Sequence, residues 1–185
     1  MHFMKLTGNK VTLRTIIPDD FPVLYDFIYG MEQPEWKNWD APYFPHKAIP
    51  YDAFVEQMTK KIANATSVNQ LAIIHEEQLI GTVSSYWEFE PSRWLEAGIV
   101  IYVPDYWNGG FGTDALKLWV NFLFEQHDIA RIGITTWSGN ERMMRAAEKI
   151  GMQLEGRMRK CRYYNGTYYD SIRMGVLREE WNQLN

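Results

Sequence analysis

From residue 11 the chain alternates apolar and polar positions, VTLRTI, the period-two pattern of a half-buried strand. Pro18-Asp19-Asp20 ends the alternation and reads as a helix start, with Phe21, Leu24, Tyr25 and Ile28 at helical spacing behind it. Residues 31–50, MEQPEWKNWDAPYFPHKAIP, follow no period. Their four prolines, two tryptophans and three acids predict a long irregular loop, the kind that is usually functional or mobile. A second helix is expected over 51–63, then strands over 70–75, 79–89 and 95–103. Gly109, Gly110 and Gly112 interrupt the pattern, and beyond them Leu116, Trp119, Val120 and Leu123 share one side of another helix. A strand (130–136), a helix (140–149) and two strands (153–163 and 168–177) finish the order. The last two strands meet at Asn165-Gly166, a strong hairpin signal. The order β-α-α-β-β-β-α-β-α-β-β predicts an α/β (α+β) chain, with a mixed sheet and helices on both faces.

Composition narrows the class. The 185 residues suit a single domain over 1–185, and 46% apolar with 15% aromatic residues supply a packed core. No apolar run approaches the ~18–20 residues of a membrane span, so no membrane partner is expected. The start, MHFMKLTGNK, lacks the layout of a signal peptide, which points to the cytoplasm. Cys161 is the single cysteine, in keeping with a reducing compartment. A net charge of −4 argues against a dedicated nucleic-acid binder. His2, His46, His75 and His127 lie too far apart in sequence for a zinc motif, so no metal is expected.

The glycines sit between an apolar strand and an apolar helix, in YVPDYWNGGFGTDAL. Free N–H groups and the helix dipole at such a junction favour an anion, phosphate above all. A tight turn that binds nothing is the plainer alternative. A nucleoside triphosphate loop would continue with Lys-Ser or Lys-Thr, whereas Thr113-Asp114 follows here. Gly110-Phe-Gly112-Thr-Asp-Ala115 satisfies a dinucleotide pattern, but that reading expects an acid ~20 residues on. The next strand ends in Trp137-Ser138 without one, so a nicotinamide oxidoreductase is the weaker option.

The same segment resembles the acetyl-CoA loop of the GNAT superfamily of N-acetyltransferases, Arg/Gln-x-x-Gly-x-Gly/Ala, with Trp107 in the Arg/Gln place. LEAGIVIYVPDYW is similar to the strand and proline entry of the RimJ/RimL-like branch, and Asn140 followed by EKIGM (148–152) to its later motif. The resemblance covers nearly the whole chain. It implies a mostly antiparallel sheet of about seven strands and acetyl transfer from acetyl-CoA to a primary amine by direct attack in a ternary complex. It also implies that Ile101, Val103, Trp107, Asn108, Gly109, Gly110, Phe111, Gly112, Thr113 and Asn140 hold the coenzyme. The acceptor stays open between a protein N-terminus and a small amine such as a polyamine or aminoglycoside, and a homodimer is an open option. An acyl-CoA sensor without turnover is the other class to weigh.

Amide transfer needs a neutral amine, a polarised carbonyl and a proton for the leaving thiolate. An alkylamine of pKa near ~10 arrives protonated at neutral pH, so a base is required. Glu96 is the candidate, because burial in its apolar strand would raise its pKa. By resemblance the Val103 main-chain N–H polarises the carbonyl, and Pro104 makes the strand splay from its neighbour there. Relatives place a serine three residues, or a tyrosine seven residues, after the asparagine; Met143 and Ala147 stand there, which leaves water or a side chain such as Tyr106 to act as the acid. In the loop, Glu32, Trp36, Trp39 and Asp40 combine carboxylates with aromatic walls, a pairing suited to a cationic amine.

Overall fold

The computed structural model describes residues 3–184, so His2 of the histidine set lies outside them. The chain runs β1 (Lys5–Thr7), β2 (Thr12–Arg14), α1 (Phe21–Tyr29), α2 (Tyr51–Asn64), β3 (Gln70–His75), β4 (Gln78–Phe89) and β5 (Trp94–Ile101). It continues with α3 (Phe111–Gln126), β6 (Arg131–Trp137), α4 (Glu141–Lys149), β7 (Gln153–Tyr164), β8 (Thr167–Leu177) and α5 (Arg178–Leu184). Eight strands form one sheet in the order β1-β2-β3-β4-β5-β6-β8-β7. Among the described residues, only β5 and β6 run parallel. A single parallel pair excludes the doubly wound sheet that a nicotinamide enzyme would need.

Alternation along the strands divides the core between two faces. Leu71 and Ile73 of β3, and Leu95 and Ala97 of β5, join α3 and Trp181 of α5 in one cluster. Ala72 of β3 and Tyr102, just past β5, join Phe21 and Leu24 of α1 and Phe54 of α2 in the other. Helices therefore cover both faces, as the element order implied. The hairpin at Asn165-Gly166 forms with φ of 48° and 76°, the left-handed pair that a two-residue turn of this kind requires.

β1 and α5 were invisible to periodicity. Three residues cannot display a period. The seven of α5 bury a single large side chain, Trp181, whose indole N–H reaches Asn121 Oδ1 at 3.1 Å.

The parallel pair positions the site. β5 bonds to β6 only at Leu95↔Ile132 and Glu96↔Gly133, although it stays on β4 as far as Ile101. From Ala97 onward its β6-facing edge is unpaired. The separation thus begins well before Pro104, where the sequence placed it. Its cause is tertiary: β6 is bonded to β8 along its whole length and turns away with it.

Candidate active site

At the open end of that cleft, Pro104–Tyr106 make one 3-10 turn and the chain then enters α3 through Gly110. Gly110 has φ 83°, a backbone state that costs other L-residues about 1–2 kcal/mol. Asp114 N–H makes the first helical bond, to Gly110 O at 3.0 Å, and no side chain caps the helix. The N–H groups of Phe111, Gly112 and Thr113 therefore have no helical acceptor. Asp114 does not compete for them. Its carboxylate accepts from the amides of Asn9, Lys10 and Val11 at 2.7–3.2 Å, tying the β1–β2 turn to this corner. Lys10 is thereby held over the Phe111 ring, 5.3 Å from its centroid.

A hollow of about 320 Å3 begins at this turn. Ile101, Trp107, Asn108, Gly110, Gly112 and Thr113 line it, facing Asn140, Arg142 and Met143 of the α4 start; Trp36, Trp39 and Asp40 of the long loop also border it. Arg145 and Lys149 add positive charge at the α4 side. Of the expected coenzyme residues, Val103, Gly109 and Phe111 are not on its wall; the Phe111 ring packs instead against His75 and Tyr106, 4.7 and 5.2 Å away. A larger hollow, about 750 Å3, lies toward the start of β5 among Trp94, Arg131, Glu155 and Arg173. The helix start that borders it is that of the short α5, through Arg178 and Glu179.

Backbone direction supplies the second ingredient. Tyr102 N–H points at β4, donating to Ile80 O at 2.9 Å. Successive residues of an extended strand point their amides to opposite edges, so those of Ile101 and Val103 face the cleft. The Ile101 carbonyl is already used, accepting from the Trp107 indole at 2.9 Å.

The loop over 31–50 is irregular but firmly docked. Trp39 O accepts from Trp137 Nε1 at 2.8 Å and Asn140 Nδ2 at 3.1 Å. Asn140 Oδ1 meanwhile caps α4 by accepting from Met143 N–H at 3.2 Å, so both ends of this amide are engaged within the protein. Arg142 lies between the indoles of Trp39 and Trp107, 4.3 and 4.2 Å from their rings. Sequence reasoning missed Arg142 and Trp137, because neither stands in a motif; each gains its position from strands and loops distant in the chain. Glu32 is exposed and off the wall of the hollow. Its neighbours Trp36, Trp39 and Asp40 are on it, carried there by the 3-10 turn Glu35–Asn38.

Glu96 is not where a base would meet solvent. It is 0% exposed and absent from the wall of the hollow. Its Oε1 accepts from Trp94 Nε1 at 2.7 Å and Arg131 Nη1 at 3.0 Å, and its Oε2 from Thr135 Oγ1 at 3.2 Å. Glycines on the neighbouring strands make room for that guanidinium: a Cβ on Gly133 would collide with it, and one on Gly175 would come within 2.8 Å of Arg131 Nε. Three residues of extended chain, ~10 Å, separate Glu96 from Ile99 on the wall. Burial is as expected, but it comes with an ion pair, and the expected base is closed off. Tyr106 lines the hollow, yet its hydroxyl donates to Gln78 Oε1 at 3.0 Å. Met143 lines it too, and Ala147 is buried behind, so neither offers a proton.

Asp40 is the opposite case. Crowding by the protein raises its carboxyl above the ordinary range, and Lys37 and His46 counter this only in part. Tyr102 beneath it is fully buried, and burial pushes its phenol up to about 12, partly offset by the hydrogen bond with Thr82 Oγ1 at 3.2 Å. Among the described residues, no group of three or more His, Cys, Asp or Glu could hold a metal ion, and no helix is long and apolar enough to cross a membrane.

Comparison with known proteins identifies the family. Residues 10–153 match the family model described as Acetyltransferase (GNAT) domain. A prophage-derived uncharacterized N-acetyltransferase of Bacillus subtilis, YokL, is 26% identical over 95% of this chain and 94% of its own. Spermidine N(1)-acetyltransferase of Escherichia coli K12 is 25% identical over 71% of this chain and 72% of its own. Among solved structures, spermidine N-acetyltransferase of Vibrio cholerae in complex with CoA and spermine superposes with a TM-score of 0.77 at 19% identity, covering 94% and 98% of the two chains. These relatives are named as transferases, which disfavours a sensor without turnover. The chain belongs to the GNAT family and is an acetyl-CoA-dependent N-acetyltransferase.

Proposed function

We propose that this transferase acetylates a primary amine of a small polycationic molecule, by direct attack with both substrates bound, and that it falls in the RimJ/RimL-like branch. One observation carries the reading: a single hollow joins the uncapped start of α3 to a wall made of Trp36, Trp39 and Asp40. The first end suits a diphosphate and the second an alkylammonium. Relatives whose names specify spermidine support a small amine over a protein N-terminus.

Acetyl-CoA supplies an activated acetyl carbonyl. The N–H groups of Phe111, Gly112 and Thr113 would hold its diphosphate, with Lys10, Arg145 and Lys149 adding charge. The cleft-facing backbone of Ile101 and Val103 would pair with the pantetheine arm as an added strand does, and the Val103 N–H would polarise the carbonyl. A contact from Asn140 would require it to release Trp39 O. With Met143 and Ala147 in place of a hydroxyl, the sulfur would take its proton from the attacking nitrogen.

An acceptor screen tests the reading: acetyl-CoA with spermidine, spermine, a diamine, an aminoglycoside and N-terminal peptides, read by free thiol. Polyamines should give the highest kcat/KM. Turnover confined to the peptides would overturn it.

A further inference from the structure

Glu96 and Asp40 are the two carboxylates nearest the cleft that the sequence singles out, and they differ in one respect that decides their chemistry. Three donors satisfy Glu96. Among the described residues, none hydrogen-bonds or ion-pairs with the carboxylate oxygens of Asp40. Its main-chain oxygen is used, accepting from Lys37 Nζ at 2.7 Å, and this fixes the loop while leaving the side chain unspent. Asp40 borders the hollow together with Trp36 and Trp39. Trp36 is itself fixed, its indole N–H donating to Phe27 O at 2.8 Å and its ring meeting Tyr102 edge-on at 5.4 Å. An open carboxylate between rigid aromatic walls attracts an ammonium group by charge and by cation–π contact.

We propose that Asp40, and not Glu96, receives the ammonium head of the acceptor and takes its proton. This rests on the reading of the acceptor as a small amine. The groups near Asp40 are Lys37, Tyr43 and His46 of its own loop, Tyr102 at the end of β5 and, across Trp39, Arg142 of α4. None is a carboxylate that could relay the proton instead. The step balances within the site. The ammonium gives one proton to Asp40, and the freed nitrogen lone pair forms the C–N bond to the acetyl carbon. The C–S bond breaks, and the sulfur leaves with the electron pair and takes the second nitrogen proton. Asp40 then returns its proton to water, resetting the site. Asp40 is exposed at the hollow, yet the protein crowding around it raises its carboxyl, so the base form is lost as pH falls through a value above the ordinary carboxylate range.

The test uses the full chain and the best amine of the screen, with Asp40→Asn, Asp40→Glu and Glu96→Gln compared. Asp40→Asn should lower kcat/KM at neutral pH by roughly 10²-fold or more, in the range a positioned base contributes. It should also abolish the acidic limb of the pH profile while leaving acetyl-CoA affinity and Tm unchanged. Asp40→Glu should restore the limb with part of the rate, and Glu96→Gln should keep the limb. If Asp40→Asn retains the limb and turns over within threefold of the parent, the proposal fails and the amine reading stands. If no amine is turned over by the parent, the amine reading fails. Spermine binding to the CoA-loaded chain then decides for Asp40: equal affinity in the parent and Asp40→Asn overturns its role.

Discussion

Two carboxylates on one side of the sheet show how differently the same functional group can be used. Glu96 lies where β5 and β6 still pair, sealed from water and matched by Arg131, Trp94 and Thr135. Asp40 lies on a loop over the opened part of the same cleft, beside aromatic walls, with Lys37 and His46 near it but no hydrogen-bond partner for its carboxylate among the described residues. The first is committed to the fold; the second keeps its carboxylate oxygens without a hydrogen-bond partner among the described residues. Burial alone therefore does not identify a base. The partners that come with burial decide whether a carboxylate holds the fold or stays available.

The comparison breaks most visibly through stability. Glu96→Ala removes the shared acceptor of Trp94, Arg131 and Thr135, Arg131 keeping Glu155, and should cost about 1–3 kcal/mol in denaturant unfolding. Asp40→Ala should cost less than about 0.5 kcal/mol, the usual range for a side chain without partners. Equal losses would mean that Asp40 has a structural partner after all.

Gly110→Ala sharpens the contrast from the donor side. Its left-handed backbone would be strained by about 1–2 kcal/mol. Calorimetry should show acetyl-CoA binding weaker by roughly 5- to 30-fold, the equivalent of that strain. Amine recognition should persist. Loss of both together would mean that the hollow is one cooperative site rather than two halves.

Arg142→Met removes the cation between Trp39 and Trp107, a contact worth about 0.5–1 kcal/mol at a surface. Hydrogen exchange over 36–44 should speed up, and with it the KM for amine should rise more than the coenzyme KM. No change in exchange would show that the Trp39 carbonyl bonds alone dock the loop.

The smallest effect concerns Asp170, whose carboxyl is held below its usual range by Arg157 and by the Lys160 N–H. A depressed folded value means that its stabilisation is present above the ordinary carboxylate range and is lost as pH falls through the folded value. Asp170→Asn should slightly flatten the acid side of the stability curve and leave turnover untouched.

Much of the molecule was readable in advance. Periodic elements such as α3, with Trp119 and Leu123 buried, and β3, with alternate residues on opposite faces, follow from local spacing. The glycine turn was equally plain, because a left-handed residue before an uncapped helix is a local requirement. Partners were not readable. Glu96 looked like a lone acid in an apolar strand; Arg131, which neutralises it, lies 35 residues on and reaches it through space kept by Gly133 and Gly175. Asn140 was expected to hold the coenzyme, and Trp39, 101 residues away, accepts from its amide.

The amino-acid sequence by itself determined the order of strands and helices, their buried faces, and the bare turn that begins α3, since each depends on neighbours a few residues apart. Only the tertiary structure decided where β5 parts from β6, which carboxylate is satisfied and which is left open. Those outcomes depend on the meeting of distant segments, β6 following β8 and the long loop seating on Trp137 and Asn140, and local spacing carries no trace of such meetings.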